Sequence, residues 1–532
     1  MSPCLAIDVS RGHTASMASR SSVLRDLRAG GLVSLLALPL CLGIAAASGF
    51  PPVAGLLTAI VGGLLTPLLG GAPRTIKGPA AGLIVVVLAS VHELGGGDAW
   101  AGYRATLAVV VASGVAQALL AQLGAARLVE MVPPAVLHGV LVAIGLVILV
   151  KQLPVLLGLE LADVSVMGML PAIAGALDKV RPTAALSGAA ALAVVLAMPA
   201  LARRGVRVGP LPAPLLAVGV GAGVALALGG GAATPQLPHE LGGVLVLPDF
   251  GALARPAAWT HVLLLTLVGS LESLVSLRAV DQLAGTRSDP ARDLGAIGLG
   301  NALAGAIGGL PMITEIVRST ANVHHGAESG RANAAHGAAL LLALVLLPGA
   351  LEQVPLAVLA ALLLAVAGRL ADPGSFRREM NVGVDQMLIF SATVVASLFV
   401  DLLAGIGAGV ATKLALHVAN GAPLRALVGP DLEVEGSTLR VRGAAVFSGW
   451  PRFRDAIDAA RQTQGAIIVD LSEARLVDHT VLQRLETRRE RGDLEWVGLD
   501  GHRTLGAHPL ATRVRRPADE SVPASEASDP RR

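Results

Sequence analysis

Fourteen apolar stretches, each long enough or nearly long enough to cross a bilayer, recur between residues 31 and 418. They run near 31–49, 53–70, 79–92, 104–122, 135–151, 184–201, 212–229, 260–277, 294–309, 316–325, 334–350, 356–369, 385–397 and 399–418. A hydrocarbon layer about 30 Å thick takes roughly 20 residues of α-helix. Every backbone amide inside it has to be satisfied internally, so such a chain is expected to fold as a polytopic helical bundle. Composition agrees: 53% of residues are hydrophobic and 15% charged, against about a quarter charged in soluble proteins. With 63 glycines and 2% aromatic residues, the helices have small faces that let backbones approach closely.

Two stretches are too short to span. One, 79–92, starts at Gly78-Pro79; the other, 316–325, follows Gly308-Gly309-Leu310-Pro311. They are the third and the tenth, seven apart. An odd repeat inserts upside down, so seven plus seven reads as an inverted repeat, and paired broken helices point to a site at the midplane. Basic residues gather in alternate loops: Arg11, Arg20, Arg25 and Arg28 before the first stretch, Arg74 and Lys77 after the second. Arg203, Arg204 and Arg207 follow the sixth, Arg278, Arg287 and Arg292 the eighth, and Arg369, Arg377 and Arg378 the twelfth. The positive-inside rule then places both termini in the cytoplasm. The loop after the fifth stretch, with Lys151 and Arg181, fits least well.

From about residue 430 the pattern turns soluble. Thr438–Phe447, Gly465–Leu471 and Leu494–Leu499 read as strands, Asp455–Arg461 and Thr480–Glu490 as amphipathic helices, a small cytoplasmic α/β domain. Four segments result: a cytoplasmic lead 1–23, a membrane domain 24–420, the soluble domain 430–512, and a disordered tail 513–532. Residues 1–22 lack the apolar core of a signal peptide. Two cysteines, Cys4 and Cys41, exclude a disulfide framework and a cysteine zinc site. A net charge of +3 does not suggest nucleic acid. No nucleophile–base set suggests an enzyme, and no cofactor is expected. His324, His325 and His336 lack the carboxylate or cysteine neighbours of a metal site. The run Gly298–Gly309 lacks the Lys-Ser/Thr of a phosphate loop and reads as a helix-packing face.

Ionisable residues within membrane helices are costly and usually functional. Glu272, in Gly269-Ser-Leu-Glu-Ser-Leu-Val-Ser276, lies late in the eighth stretch with Ser276 one turn on. Glu315 and Arg318 stand three apart beside the broken start of the tenth, a spacing that also suits a simple ion pair. The starts of both short helices, at Pro79-Ala80-Ala81 and near Ile316-Val317, offer free N–H groups and positive dipole ends. Facing each other, they make an anion site.

The residues resemble the sulfate permease (SulP) family of anion transporters. The resemblance begins at Arg25-Asp-Leu-Arg-Ala-Gly-Gly31, Ala37–Ala45 and Gly49–Leu56, and continues through Gly78–Gly82, Val132–Val136, Pro212–Ala217 and Gly269–Ser273. Gly308–Pro311 with Ile316–Val323, and Val400–Gly407, complete it in order from about 24 to 420. The soluble domain looks like a divergent STAS domain, with Asp470–Thr480 at its strand-to-helix turn. The resemblance implies two inverted seven-helix repeats forming core and gate domains, fourteen transmembrane helices in the inner (plasma) membrane, and a homodimer. It implies an anion held by Leu40, Ile44, Pro79, Ala80, Ala81, Thr314, Val317, Arg318 and Ser319, with Glu272, Ser276 and Glu315 coupling an ion. Leu40 stands where the family often has Gln, which removes an amide from the pocket. His479 or Thr480 falls opposite the phosphorylatable Ser of related regulatory domains; capping of the helix is the preferred reading.

The expectation is therefore a secondary transporter of small oxyanions, sulfate or bicarbonate, by elevator-like proton symport. Glu272, when charged, is expected to be held by Arg318, and its protonation frees the arginine. The alternatives are a sodium-coupled bicarbonate symporter using Glu272 and Ser276, or an uncoupled channel or exchanger.

Overall fold

The computed structural model describes residues 9–124, 132–161, 166–205, 212–237, 244–400, 402–465, 467–490 and 492–516. Among them each of the fourteen apolar stretches coincides with a helix: α1 (Val9–Ala47), α2 (Val53–Leu65), α3 (Ile84–Gly95), α4 (Ala99–Gln122), α5 (Pro134–Leu157), α6 (Pro182–Arg203) and α7 (Ala213–Ala227). The second set is α8 (Pro256–Ala284), α9 (Pro290–Ala306), α10 (Ile316–His324), α11 (Gly330–Leu346), α12 (Leu356–Leu370), α13 (Val384–Phe399) and α14 (Leu402–Ala419). Seven of the described helices are long and apolar enough to cross a membrane unaided. The chain parts into two compact units, residues 1–129 with 144–370, and residues 130–143 with 371–532.

In the first unit the organising feature is a pair of short strands ahead of the two short helices. Strand β1 (Lys77–Pro79) precedes a 3-10 turn, Ala81–Leu83, and then α3; strand β2 (Met312–Thr314) leads into α10. They pair antiparallel, with Lys77 opposite Thr314, Gly78 opposite Ile313 and Pro79 opposite Met312. Corresponding segments of the two halves thus run in opposite directions, as an inverted repeat requires.

Extended backbone at membrane depth survives only where protein groups satisfy it, and the neighbouring side chains do so. Asn301 of α9 clamps Met312, its Oδ1 accepting from the amide (2.6 Å) and its Nδ2 donating to the carbonyl (3.1 Å). The amide of Thr314 donates to Ser273 Oγ (3.3 Å), and that of Ile76 donates to Ser319 Oγ (2.8 Å). Glu315 N–H donates to the Ile76 carbonyl (2.9 Å). The Gly298 run is a packing face: a Cβ on Gly298 would lie 2.7 Å from the Gly114 carbonyl, so only glycine permits this approach of α9 to α4.

One expectation about loops is corrected here. Lys77, read as an interfacial loop cation, is fully buried and ion-paired with Asp293 at 2.6 Å. Asp293 also accepts from the Ala72 amide (2.6 Å) and from Thr314 Oγ1 (3.2 Å). A buried ammonium needs such a saturated partner.

The second unit holds α13, α14 and a seven-stranded sheet. Its strands are β3 (Asp431–Glu435), β4 (Thr438–Ala445), β5 (Ile467–Asp470), β6 (Ala474–Val477), β7 (Leu494–Val497), β8 (His502–Thr504) and β9 (Arg513–Arg515). The order is β7-β5-β4-β6-β9-β8 with β3 paired to β4; the four consecutive strands β7, β5, β4 and β6 are mutually parallel. Helix α15 (Trp450–Gln464) places Trp450, Phe453, Ile457 and Ala460 at helical spacing against Leu439, Val441 and Val469, and α16 (His479–Glu490) adds Val481, Leu482 and Leu485. Strand β9 pairs with both β6 and β8, so residues 513–515 belong to the sheet and not to a disordered tail.

The cap of α16 also differs from expectation. Asp478, not Thr480, caps it: Oδ1 accepts from the Val481 amide (2.7 Å) and Oδ2 from the Phe447 amide (2.8 Å). Thr480 is fully buried and its hydroxyl accepts from Lys413 Nζ of α14 at 2.6 Å. The same ammonium lies 3.3 Å from Asp478 Oδ2 and 4.9 Å from the Phe447 ring centroid. Burial alone would raise the Asp478 carboxyl, but the Lys413 ammonium, His417 and the two amides outweigh it and hold the group below the usual carboxylate range.

Candidate anion-binding site

Beyond the β1–β2 crossing the chain turns into helix twice. Ala80 (φ −90°, ψ 118°) is extended before the turn into α3, and Glu315 (φ −83°, ψ 112°) is extended before α10. Because the strands are antiparallel, α3 and α10 leave the crossing in opposite directions, each with unpaired N–H groups and a positive dipole end beside it.

Glycines admit the charged side chains here. A Cβ on Gly78 would collide with Arg318 Nη1, so the guanidinium lies directly on the β1 backbone. A Cβ on Gly82 would lie 2.6 Å from both Cδ and Oε2 of Glu272, so that carboxylate occupies the space at the start of α3. Arg318 is 1% exposed and Glu272 8%. Among the described residues, Arg318 Nε and Nη1 and Glu272 Oε1 have no hydrogen-bond partner. Glu315 is half-buried and lines the same cavity as Ala81 and Arg318, and Cys41 of α1 is buried in the same region.

Among the described residues neither Glu272 nor Glu315 forms an ion pair with Arg318, although Glu315 stands at the i,i−3 position. The expected Glu272–Arg318 pair is therefore absent from this arrangement. Glu272 sits instead in the glycine-lined space at the start of α3, and two guanidinium nitrogens stay uncommitted.

A cavity of about 380 Å³ adjoins the crossing. Its walls bring together six of the expected residues: Leu40 and Ile44 of α1, Ala81, Glu315, and Val317 and Arg318 of α10. Leu362, Leu363 and Val366 of α12 form an aliphatic wall, and the cavity extends to His325 and Arg369. The other expected residues lie outside its lining. Pro79 and Ala80 are buried in the crossing, and Ser276 is buried on α8 one turn beyond Glu272. Thr314 and Ser319 spend their hydroxyls on Asp293 and on the Ile76 amide. Both hydroxyls thus help to hold the crossing together. Sequence reasoning missed Cys41, Asp293 and Asn301; an Asn or Asp in an apolar helix was the available signal.

The profile described as "Sulfate permease family" matches residues 23–393. The chain belongs to that family. Among members, the Bicarbonate transporter BicA of Synechocystis is 27% identical over 387 residues, covering 72% of this chain and 68% of the relative. A putative sulfate transporter of Bacillus subtilis, YvdB, is 25% identical, covering 72% of each chain. The solved transmembrane domain of a cyanobacterial BicA superposes with TM-score 0.65 at 26% identity, over 72% of this chain and 97% of that one. The structure of SLC26A9 shares the fold with TM-score 0.67 at 16% identity, covering 90% of this chain and 84% of that one. This sulfate permease family member is thus a multi-pass membrane protein with a transporter fold and a STAS-like sheet domain at its C-terminal end.

Proposed function

We propose that the protein is a secondary transporter of small oxyanions, sulfate or bicarbonate, that carries a proton with the anion by elevator-like alternating access. One observation carries the reading: a nearly solvent-free arginine with two unpartnered nitrogens, set between two helix starts at the end of a cavity. A guanidinium fork and helix N-termini are what a tetrahedral or planar oxyanion binds. The relatives' names, bicarbonate transporter and putative sulfate transporter, agree with that class.

Charge count supports the proton. With Glu272 and Glu315 ionised, the charges nearest Arg318 sum to net negative before substrate arrives, Arg369 standing farther along the cavity. Two like charges sharing a poorly solvated site disfavour ionising both. One proton makes the site neutral, so anion and proton are best taken up together. We assign the coupling role to Glu272, whose free Oε1 can receive that proton. Leu362, Leu363 and Val366 of α12 give the cavity an aliphatic wall with no hydrogen bonds to break on sliding, which suits an elevator. We further propose that both termini are cytoplasmic and that the protein works as a homodimer.

The test is uptake into proteoliposomes. Labelled sulfate uptake should be competed by bicarbonate and unaffected by nucleobases; uptake indifferent to every oxyanion would refute the assignment.

A further inference from the structure

We propose that Glu315 is a resident anion of the site, a tethered carboxylate that holds the ground an incoming oxyanion needs and must be displaced or neutralised before substrate binds. The inference rests on the reading of this cavity as the substrate site.

Glu315 stands at the N-cap position of α10 but makes no side-chain hydrogen bond to that helix. At i,i+3 from Arg318 it could pair along the helix, yet the arginine keeps Nε and Nη1 free. The carboxylate lines the cavity together with Ala81 and Arg318, with no ion pair to the arginine among the described residues. The site thus carries one of the protein's own carboxylates on the wall an incoming anion would use, beside an unpaired cation.

The groups facing Glu315 make this a competition. Glu272 of α8 lies at Gly82, one residue beyond Ala81, and adds a second negative charge. Cys41 of α1 is buried in the same region. His325 and Arg369 stand farther along the cavity. His336 of α11 is buried with both ring nitrogens unpartnered. Lys77, which could have neutralised a carboxylate, is committed to Asp293. Arg318 is therefore the cation for which Glu315 and a substrate anion contend.

A carboxylate and an oxyanion offer the same acceptor oxygens to a backbone N–H and a guanidinium. A tethered group acts at an effective concentration in the millimolar range or above, so free substrate has to outcompete it. Neutral Glu315 no longer contends for the cation, which links substrate affinity to external protons through this residue, separately from the accumulation assigned to Glu272.

The experiment is the KM for labelled sulfate and bicarbonate in proteoliposomes at pH 6 and pH 8, for wild type, Glu315→Gln and Glu315→Ser. Wild type should show a KM several-fold lower at pH 6. Both variants should show a KM about tenfold below the wild-type value at pH 8 and a smaller change between the two pH values than wild type, the remainder being that of Glu272. A KM in the variants equal to or above that of wild type at pH 8, or a change with pH as large as that of wild type, overturns the inference. If Glu315→Gln does not assemble, Glu315→Ser decides in the same way. Wild-type protein that transports neither anion overturns the underlying reading instead.

Discussion

Replacing Lys413 by Met should loosen the turn between β6 and α16 without touching the anion site. Lys413 and Asp478 are each 0% exposed, with Nζ–Oδ2 at 3.3 Å. Removing one partner of a buried ion pair costs about 3–5 kcal/mol, because the other charge is left in a dry place. Here the cost should lie near the lower figure, since Asp478 keeps the amides of Val481 and Phe447, and His417 Nε2 at 3.6 Å. Asp478→Leu should be worse: the ammonium would lose its nearest carboxylate and keep Thr480 Oγ1, the Phe447 ring face and the more distant Asp385. The assay is amide hydrogen exchange of peptides spanning 474–482 in the purified full-length protein. About 3 kcal/mol of local opening corresponds to faster exchange by roughly a hundredfold or more in Lys413→Met, and Asp478→Leu should exceed it. Because the folded Asp478 carboxyl lies below its unfolded range, its contribution is complete above about pH 4 and lost as pH falls through the folded value. The Lys413→Met effect should therefore be flat from pH 6 to 8. Unchanged protection in both variants, or a larger effect from Lys413→Met than from Asp478→Leu, would refute the reasoning.

Other expectations concern the crossing. Arg318→Gln should raise the KM for oxyanion by about 30-fold or more, from the roughly 2–5 kcal/mol lost when one member of a buried charged contact is truncated; an unchanged KM counts against the site. Gly82→Ala drives a methyl into the Glu272 carboxylate and should abolish proton-driven accumulation while membrane yield stays near wild type, since overpacking costs about 1–3 kcal/mol. Lys77→Met strands Asp293 in a dry setting and should lower thermal stability in detergent, with the double variant Lys77→Met/Asp293→Leu recovering part of the loss.

Much of this architecture was legible before any coordinates. Apolar length alone located fourteen helices, and Gly-Pro breaks marked the third and tenth, because backbone at membrane depth cannot be irregular without cause. Glu272, Glu315 and Arg318 were identifiable for the same reason: charge in an apolar helix needs an explanation. What could not be read was pairing. Nothing in Lys77 names Asp293, 216 residues away, as its partner, so it passed for a loop cation. Lys413 and Asp478 escaped similarly: Lys413 lies within the last apolar stretch, but nothing there names Asp478 as its partner. Nor does the sequence show that the Thr314 hydroxyl meets Asp293 and the Ser319 hydroxyl the Ile76 amide.

Coupling is the central claim, and accumulation in proteoliposomes tests it directly. With sodium absent and an inward proton gradient imposed, wild-type protein should concentrate labelled sulfate above the external level. Glu272→Gln should let sulfate equilibrate without concentrating it. Accumulation driven by a sodium gradient alone, or equal accumulation by Glu272→Gln, would contradict the account.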